Sequence, residues 1–278
     1  MEFKSYSHIL RNKVLFDWAP FLRPIAYSAY AINSSPVIVL GNQKAGTSAI
    51  AALLAKATGG SYDIDLAGFR NPEYAALHAG AIDIKKVVQE RALIEFSKDI
   101  VKEPGLTFLY PQLKEAFPQA RFVFIVRDPR ANIRSTLNRL NIPGSKTAID
   151  PIEYPQISPI WKSILMNEWG RGTPGGSHIV RSAERWQQAV DLCADDDSRM
   201  HLIRYEDFNR GKVDAIEELA ERLGRPVMSD ITPFVDVQFQ PKGKKVNSYT
   251  NFFGEENLRW IENICNRGMK KFNYTPEL

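Results

Sequence analysis

The chain is predicted to be a single α/β domain: a central, mainly parallel sheet flanked by helices, with a phosphate-loop core and an irregular lid. Three observations predict it. Two almost unbroken apolar runs, Pro36 to Leu40 and Arg121 to Val126, read as strands buried on both faces of a parallel sheet. Helical stretches alternate with these and other short strands along the chain. A glycine turn, Leu40-Gly41-Asn42-Gln43-Lys44-Ala45-Gly46-Thr47-Ser48, joins the first strand to an alanine- and leucine-rich helix running to Thr58.

In order, the N-terminal segment 1–35 reads as one or two short amphipathic helices interrupted by Pro20 and Pro24, with Trp18, Phe21 and Leu22 as its apolar face. Gly59 to Asn71 reads as a mixed loop and Pro72 to Phe96 as helix. Asp99 to Val101 is a short strand leading into Lys102-Glu103-Pro104, and Leu109 to Phe117 a further helix. The strand 121–126 ends at Arg127-Asp128-Pro129, ahead of a helix from about Arg130 to Leu140. The segment 141–177 holds five prolines, five glycines and two tryptophans with little periodicity outside Ile160 to Trp169. So long an irregular stretch is expected to be a lid over a binding site. Arg181 to Ala194 returns to helix, His201 to Tyr205 is a strand, and Lys212 to Leu223 is a helix stopped by Gly224 and Pro226. The basic turn Pro241 to Lys245 opens a loop, 241–254, and Glu255 to Lys271 closes the chain as helix. Ligands are expected at the carboxyl ends of the strands.

Composition is that of an average soluble domain: 278 residues, 44% hydrophobic, 24% charged, net charge +4. The mild basic excess suits an anionic ligand and does not argue for nucleic acid. Two cysteines, Cys193 and Cys265, make neither a disulfide framework nor a zinc site. With no spanning segment and no secretory pattern, the expected location is cytoplasmic, with peripheral membrane contact through the N-terminus left open. Oligomeric state is not legible.

The glycine turn departs from the nucleoside-triphosphate loop G-x-x-x-x-G-K-[ST] in one respect. Gly41, Gly46 and Ser48 keep their spacing, but Thr47 stands in the lysine position and Lys44 precedes Gly46. The helix N-terminus still presents N–H groups to an anion. Arg127, just past a strand end, and Ser135, eight residues on, suit a second phosphate. Alone, a local Arg127–Asp128 ion pair and a surface hydroxyl would account for them; beside the altered loop, the phosphate role is favoured. Trp186 is expected in the core, and the run Asp195 to Asp197 on a solvated turn.

Together KAGTS, RDPRANIRS, HLIRYEDF and PKGKKVNSYTNFFGEENLRWI, in this order, resemble the sulfotransferases that use 3′-phosphoadenylyl sulfate (PAPS). The resemblance spans roughly Val37 to Trp260. It implies sulfuryl transfer from PAPS to a hydroxyl or amine of a small-molecule, lipid or glycan acceptor, releasing 3′,5′-adenosine bisphosphate (PAP), without a metal. Lys44 would stabilise charge on the departing oxygen. Backbone N–H groups of Ala45, Gly46, Thr47 and Ser48 would hold the 5′-phosphate. Arg127, Ser135 and the Lys242-Gly243 turn, helped by Lys244, would hold the 3′-phosphate, and Tyr205 would approach the adenine. The family's frequent loop tryptophan is Ala49 here, which leaves Phe252 or Phe253 for adenine stacking. Lys102 would help stabilise the sulfuryl group. The histidine serving as base in many members falls at Pro104; other branches use a glutamate or an earlier histidine, making Glu103 and His78 the candidates. The rival readings are a small-molecule P-loop kinase and an inactive nucleotide-binding module.

Overall fold

The computed structural model describes residues 20–66, 69, 72–149, 153–170, 172–173, 175–194, 197–237 and 248–278. Within them, five strands form one wholly parallel sheet: β1 (Val37–Gly41), β2 (Tyr62–Ile64), β3 (Ile100–Lys102), β4 (Arg121–Val126) and β5 (Met200–Arg204), in the order β2-β3-β1-β4-β5. Val39 pairs with Lys102 on one side and Val123 on the other, so the carboxyl end of β1 is central.

The apolar runs are unbroken because both faces are covered. Ile38, Leu40, Val101, Phe122 and Phe124 face one core, with Leu113, Ile133, Leu137, Ile179, Trp186 and Ile261 from helices packed there. Val37, Val39, Ile100, Val123, Ile125 and Ile203 face the other, against Ile50, Leu53, Leu54, Ile216 and Leu219. Alternate residues of each strand thus serve opposite layers, as strand pleating requires.

Three expectations need correction. The loop read over Gly59 to Asn71 contains edge strand β2; its three residues, with Asp63 in the middle, are too few to give an apolar signal. The single helix read over Pro72 to Phe96 is three: Glu73–His78, Ile84–Arg91 and Leu93–Phe96. Gly80, at φ 68°, turns the chain, and the Asp83 side chain accepts from the Lys86 N–H at 3.1 Å to start the second. The third correction concerns the acidic run. Asp195 and Asp196 lie outside the described residues. Asp197 is no solvated turn residue, since its side chain is only 12% exposed. It accepts from Arg199 and from the Tyr110 hydroxyl.

The Arg199 hydrogen bonds hold the Asp197 carboxyl at about 2. Because the folded-state value is depressed, the stabilisation is full above the ordinary carboxyl range and disappears as pH falls toward 2. Asp197→Asn is therefore expected to cost on the order of 1 kcal/mol at neutral pH. In urea melts the deficit relative to wild type should shrink through pH 4 to 2; a pH-independent deficit would contradict the assignment.

Among its described residues the segment 141–177 carries the helix Pro159–Leu165 and buries Tyr154, Ile157 and Leu165 in the first core. It is tied to the last helix, Tyr249–Lys271, by Asn257, whose Nδ2 donates to the carbonyls of Gly144 and Lys146 at 2.9 and 3.0 Å. That helix starts earlier than the sequence suggests, with Ser248 as its cap, and is broken at Gly254. Lys242, Gly243 and Lys244 lie outside the described residues, as does Trp18, whereas Phe21 and Ile25 are exposed. Among the described residues no helix is long and apolar enough to cross a membrane.

Candidate active site

The glycine turn sits at the carboxyl end of β1, where the sheet positions it against the ends of β3, β4 and β5. Gly41 (φ 139°) starts it; a Cβ there would lie 2.6 Å from the Ile125 carbonyl oxygen, so only glycine fits beside β4. The Thr107 hydroxyl staples this start, accepting from the Gly41 N–H at 2.8 Å and donating to its carbonyl at 3.2 Å. Lys44 and Gly46 both take left-handed conformations, at φ 68° and 95°. The helix Thr47–Thr58 then begins with no side-chain cap. The hydroxyls of Thr47 and Ser48 have no hydrogen-bond partner among the described residues. Its free N–H groups and dipole favour an anion at that point. The expectation that the Ala45 N–H donates to phosphate meets a different arrangement, because it closes the turn onto the Asn42 carbonyl at 3.1 Å.

Arg127 and Tyr205 close the other side. Arg127 Nη1 donates to the Lys44 carbonyl at 2.8 Å, while its buried Nε has no partner among the described residues. The guanidinium stacks on the Tyr205 ring, 4.7 Å from the centroid. That ring covers Gly46 so closely that a Cβ on the glycine would lie 2.4 Å from it. The local ion pair that would have explained Arg127 is absent, since Asp128 binds Arg130 instead at 2.6 Å and caps the helix Pro129–Leu140. Arg130 also reaches Glu262 at 2.8 Å. Trp186 is in the core as expected, and its indole N–H donates to the Arg127 carbonyl at 2.8 Å. Glu206 accepts from the Asp128 N–H at 3.0 Å, tying the end of β5 to the end of β4. Ser135 is half-buried on the helix and forms no hydrogen bond among the described residues. Arg139 lies one turn beyond it. Burial, then the charges of Arg139 and Arg127, lower the pKa of the Lys44 ammonium. Like charges that disfavour the Lys44 ammonium favour negative charge at the same place.

At the ends of β2 and β3 lies a second group. Lys102 is buried, and its Nζ binds Asp65 Oδ1 at 2.6 Å. Asp65, at φ 61°, is itself 58% exposed at its side chain. Glu103 is turned the other way: its oxygens accept from the N–H groups of Gly105 and Leu66 at 3.0 and 3.2 Å. Burial raises its pKa against the pull of Lys102. His78 stacks parallel to Trp169 of the segment 141–177, with centroids 5.8 Å apart, and its buried Nε2 has no partner among the described residues. Burial, then Arg185, lowers its pKa to about 4. Phe253 is fully buried, and Phe252 packs on Gly144, so neither faces the loop as an adenine platform.

A family model described as "Sulfotransferase family" matches residues 67–230, more than half of the chain. The chain belongs to the sulfotransferase family. No curated protein sequence matches it. Among solved structures it is similar to sulfotransferase STF9 from Mycobacterium avium, at 14% identity and a TM-score of 0.54, over 93% of this chain and 82% of that one. It is also similar to mouse sulfotransferase SULT7A1 complexed with PAP, at 13% identity and a TM-score of 0.52, over 88% of each chain. At such identities the likeness speaks to fold. The sulfotransferase has the expected α/β architecture, with the glycine turn at the centre of the sheet.

Sequence reasoning overlooked Asp65, Arg139, Arg185 and Thr107. Arg139 was within reach, four residues after Ser135 on one helix face. Asp65 follows a strand too short to recognise. Arg185 and Thr107 carry no local pattern and become visible only in three dimensions.

Proposed function

We propose that this sulfotransferase takes its sulfuryl group from PAPS and passes it to a hydroxyl of a small-molecule acceptor, releasing PAP. The observation that carries this reading is the helix N-terminus without a side-chain cap, flanked by Lys44 and the partly unsatisfied Arg127. Bound PAPS would supply an activated sulfuryl group whose leaving group is a phosphate. The N–H groups of Gly46, Thr47 and Ser48, with both hydroxyls, hold the 5′-phosphate, and Ala45 shapes the turn beneath. Lys44 neutralises charge on the departing oxygen. Arg127 and Ser135, with Arg139 beside them, hold the 3′-phosphate; Lys242, Gly243 and Lys244 complete that site. Tyr205, stacked on Arg127, borders the adenine.

The proton of the acceptor hydroxyl goes to Asp65, which we place as the general base, with Lys102 orienting it. The Asp65 carboxylate is at the carboxyl end of the sheet and open to solvent, and one oxygen has no partner among the described residues. Glu103 has both oxygens engaged by backbone N–H groups, and His78 is too weak a base for a group working near neutrality. Among the described residues no group of three or more histidine, cysteine, aspartate or glutamate side chains is arranged to hold a metal ion.

Isothermal titration with PAP and with ATP, each in EDTA and again with magnesium, tests the donor. Micromolar or tighter binding of PAP, with ATP much weaker, is the expected result. Preference for ATP that requires magnesium would instead make the phosphate loop that of a kinase.

A further inference from the structure

Arg185 is a buried charge to which sulfuryl transfer from PAPS assigns no role. It projects from the helix His178–Cys193 and is 4% exposed. Its guanidinium lies over the Phe108 ring at 4.0 Å. Among the described residues its hydrogen bonds go only to side-chain amide oxygens, from Nη2 to Gln43 Oε1 at 3.3 Å and from Nη1 to Asn167 Oδ1 at 3.5 Å. Nε has no partner, and among the described residues no carboxylate forms an ion pair with it. Glu103 is close enough to influence it, but that carboxylate is turned to backbone N–H groups. Arg130, comparably buried, shows the usual solution, with Asp128 and Glu262 in direct contact. Burying a guanidinium without a carboxylate destabilises the fold unless a ligand completes it.

The surroundings define that ligand. Gln43 belongs to the glycine turn and Asn167 to the lid, so Arg185 bridges donor loop and acceptor cover. Beside it Tyr74, His78 and Trp169 form a stack, Tyr74 and Trp169 being 5.1 Å apart at 24°. Tyr74 is buried, whereas His78 and Trp169 are partly exposed. The Tyr74 hydroxyl packs on Gly105, three residues before the Phe108 that lies under Arg185 and three after the Lys102 that binds Asp65, so one stretch of chain links the proposed base and the unmatched cation. His78 stays neutral near pH 7, so Arg185 is the cation on this wall.

We propose that Arg185 binds an anionic group on the acceptor, and that the acceptor is a small aromatic molecule carrying both that anion and the hydroxyl to be sulfated. Its ring lies along Trp169 and His78, its anion at Arg185 and its hydroxyl toward Asp65. This rests on the sulfuryl-transfer reading for the hydroxyl, but not for the anion.

Ligand-observed NMR with benzoate and its neutral isostere benzamide tests it, on free and PAP-saturated protein. Wild type is expected to bind benzoate at least about tenfold more tightly than benzamide, from a charge-assisted contact to the guanidinium. Arg185→Gln should abolish that preference and Arg185→Lys retain part of it, with PAP still bound by both. Equal binding of the two probes by wild type, no benzoate binding up to solubility, or an undiminished preference in Arg185→Gln would overturn the proposal. So would loss of PAP binding in both variants, which would make Arg185 a prop for the glycine turn. Failure of wild type to bind PAP strikes the donor reading alone, because the benzoate preference is also measured without PAP.

Discussion

Lys44→Ala is expected to lower kcat by about 10²–10³, the range seen when a group acting on developing charge is removed. The Kd for PAP should change little. In the ground state the Lys44 ammonium is crowded by Arg139 and Arg127, whose charges, with burial, already depress its pKa. Removing it relieves repulsion while the loop N–H groups and Arg127 keep their hold on phosphate, so the two effects on affinity oppose each other. Only when the bridging oxygen departs with a full negative charge does the lysine make a contact that nothing else supplies. The backbone does not confuse the comparison, because alanine keeps the Cβ and meets the same cost at φ 68° as lysine does. Single-turnover measurement of the chemical step, with PAP titration in parallel, separates the two effects. A variant with wild-type kcat would take Lys44 out of the mechanism.

Much of this was legible in the chain because it rests on local chemistry. Pro36 to Leu40 and Phe122 to Val126 are apolar at every position, a pattern that a strand covered on both faces explains, and the structure covers both. The glycine turn is readable because Gly41 lies too near the Ile125 carbonyl, and Gly46 too near the Tyr205 ring, for any side chain. The neighbourhood of Asp65 was hidden for the opposite reason. Strand β2 has three residues and gains its identity from pairing with β3, not from its own sequence. Without that strand, Asp65 is one acid among thirty-two acidic residues. Arg185 is obscured in the same way, since its carbonyl partners come from residues 43 and 167 and its ring contact from residue 108. Charge alone did not distinguish it from the exposed arginines elsewhere in the chain, such as Arg139 and Arg210.

Asp65→Asn carries the other large effect, an expected fall in kcat of about 10²–10⁴ with PAP affinity intact. The amide preserves shape and can still accept from Lys102, but it cannot take a proton from the acceptor. Loss of the ion pair is a second consequence, and it is small, because Asp65 is well exposed. The double variant Asp65→Asn/Lys102→Met isolates it: if Lys102 mainly orients the base, the double loss should be close to that of Asp65→Asn alone. The split between kcat and KM supplies a readout that mere disturbance of the loop would not move: kcat should fall in Asp65→Asn while the KM for PAPS stays near that of wild type. Glu103→Gln should act differently. Its carboxylate accepts two backbone N–H groups, and the amide can accept with only one of its two ends, so the expected loss is in thermal stability, about 1 kcal/mol, more than in rate. Should Glu103→Gln instead lower kcat by that factor while Asp65→Asn keeps the wild-type kcat, the proton would pass to Glu103.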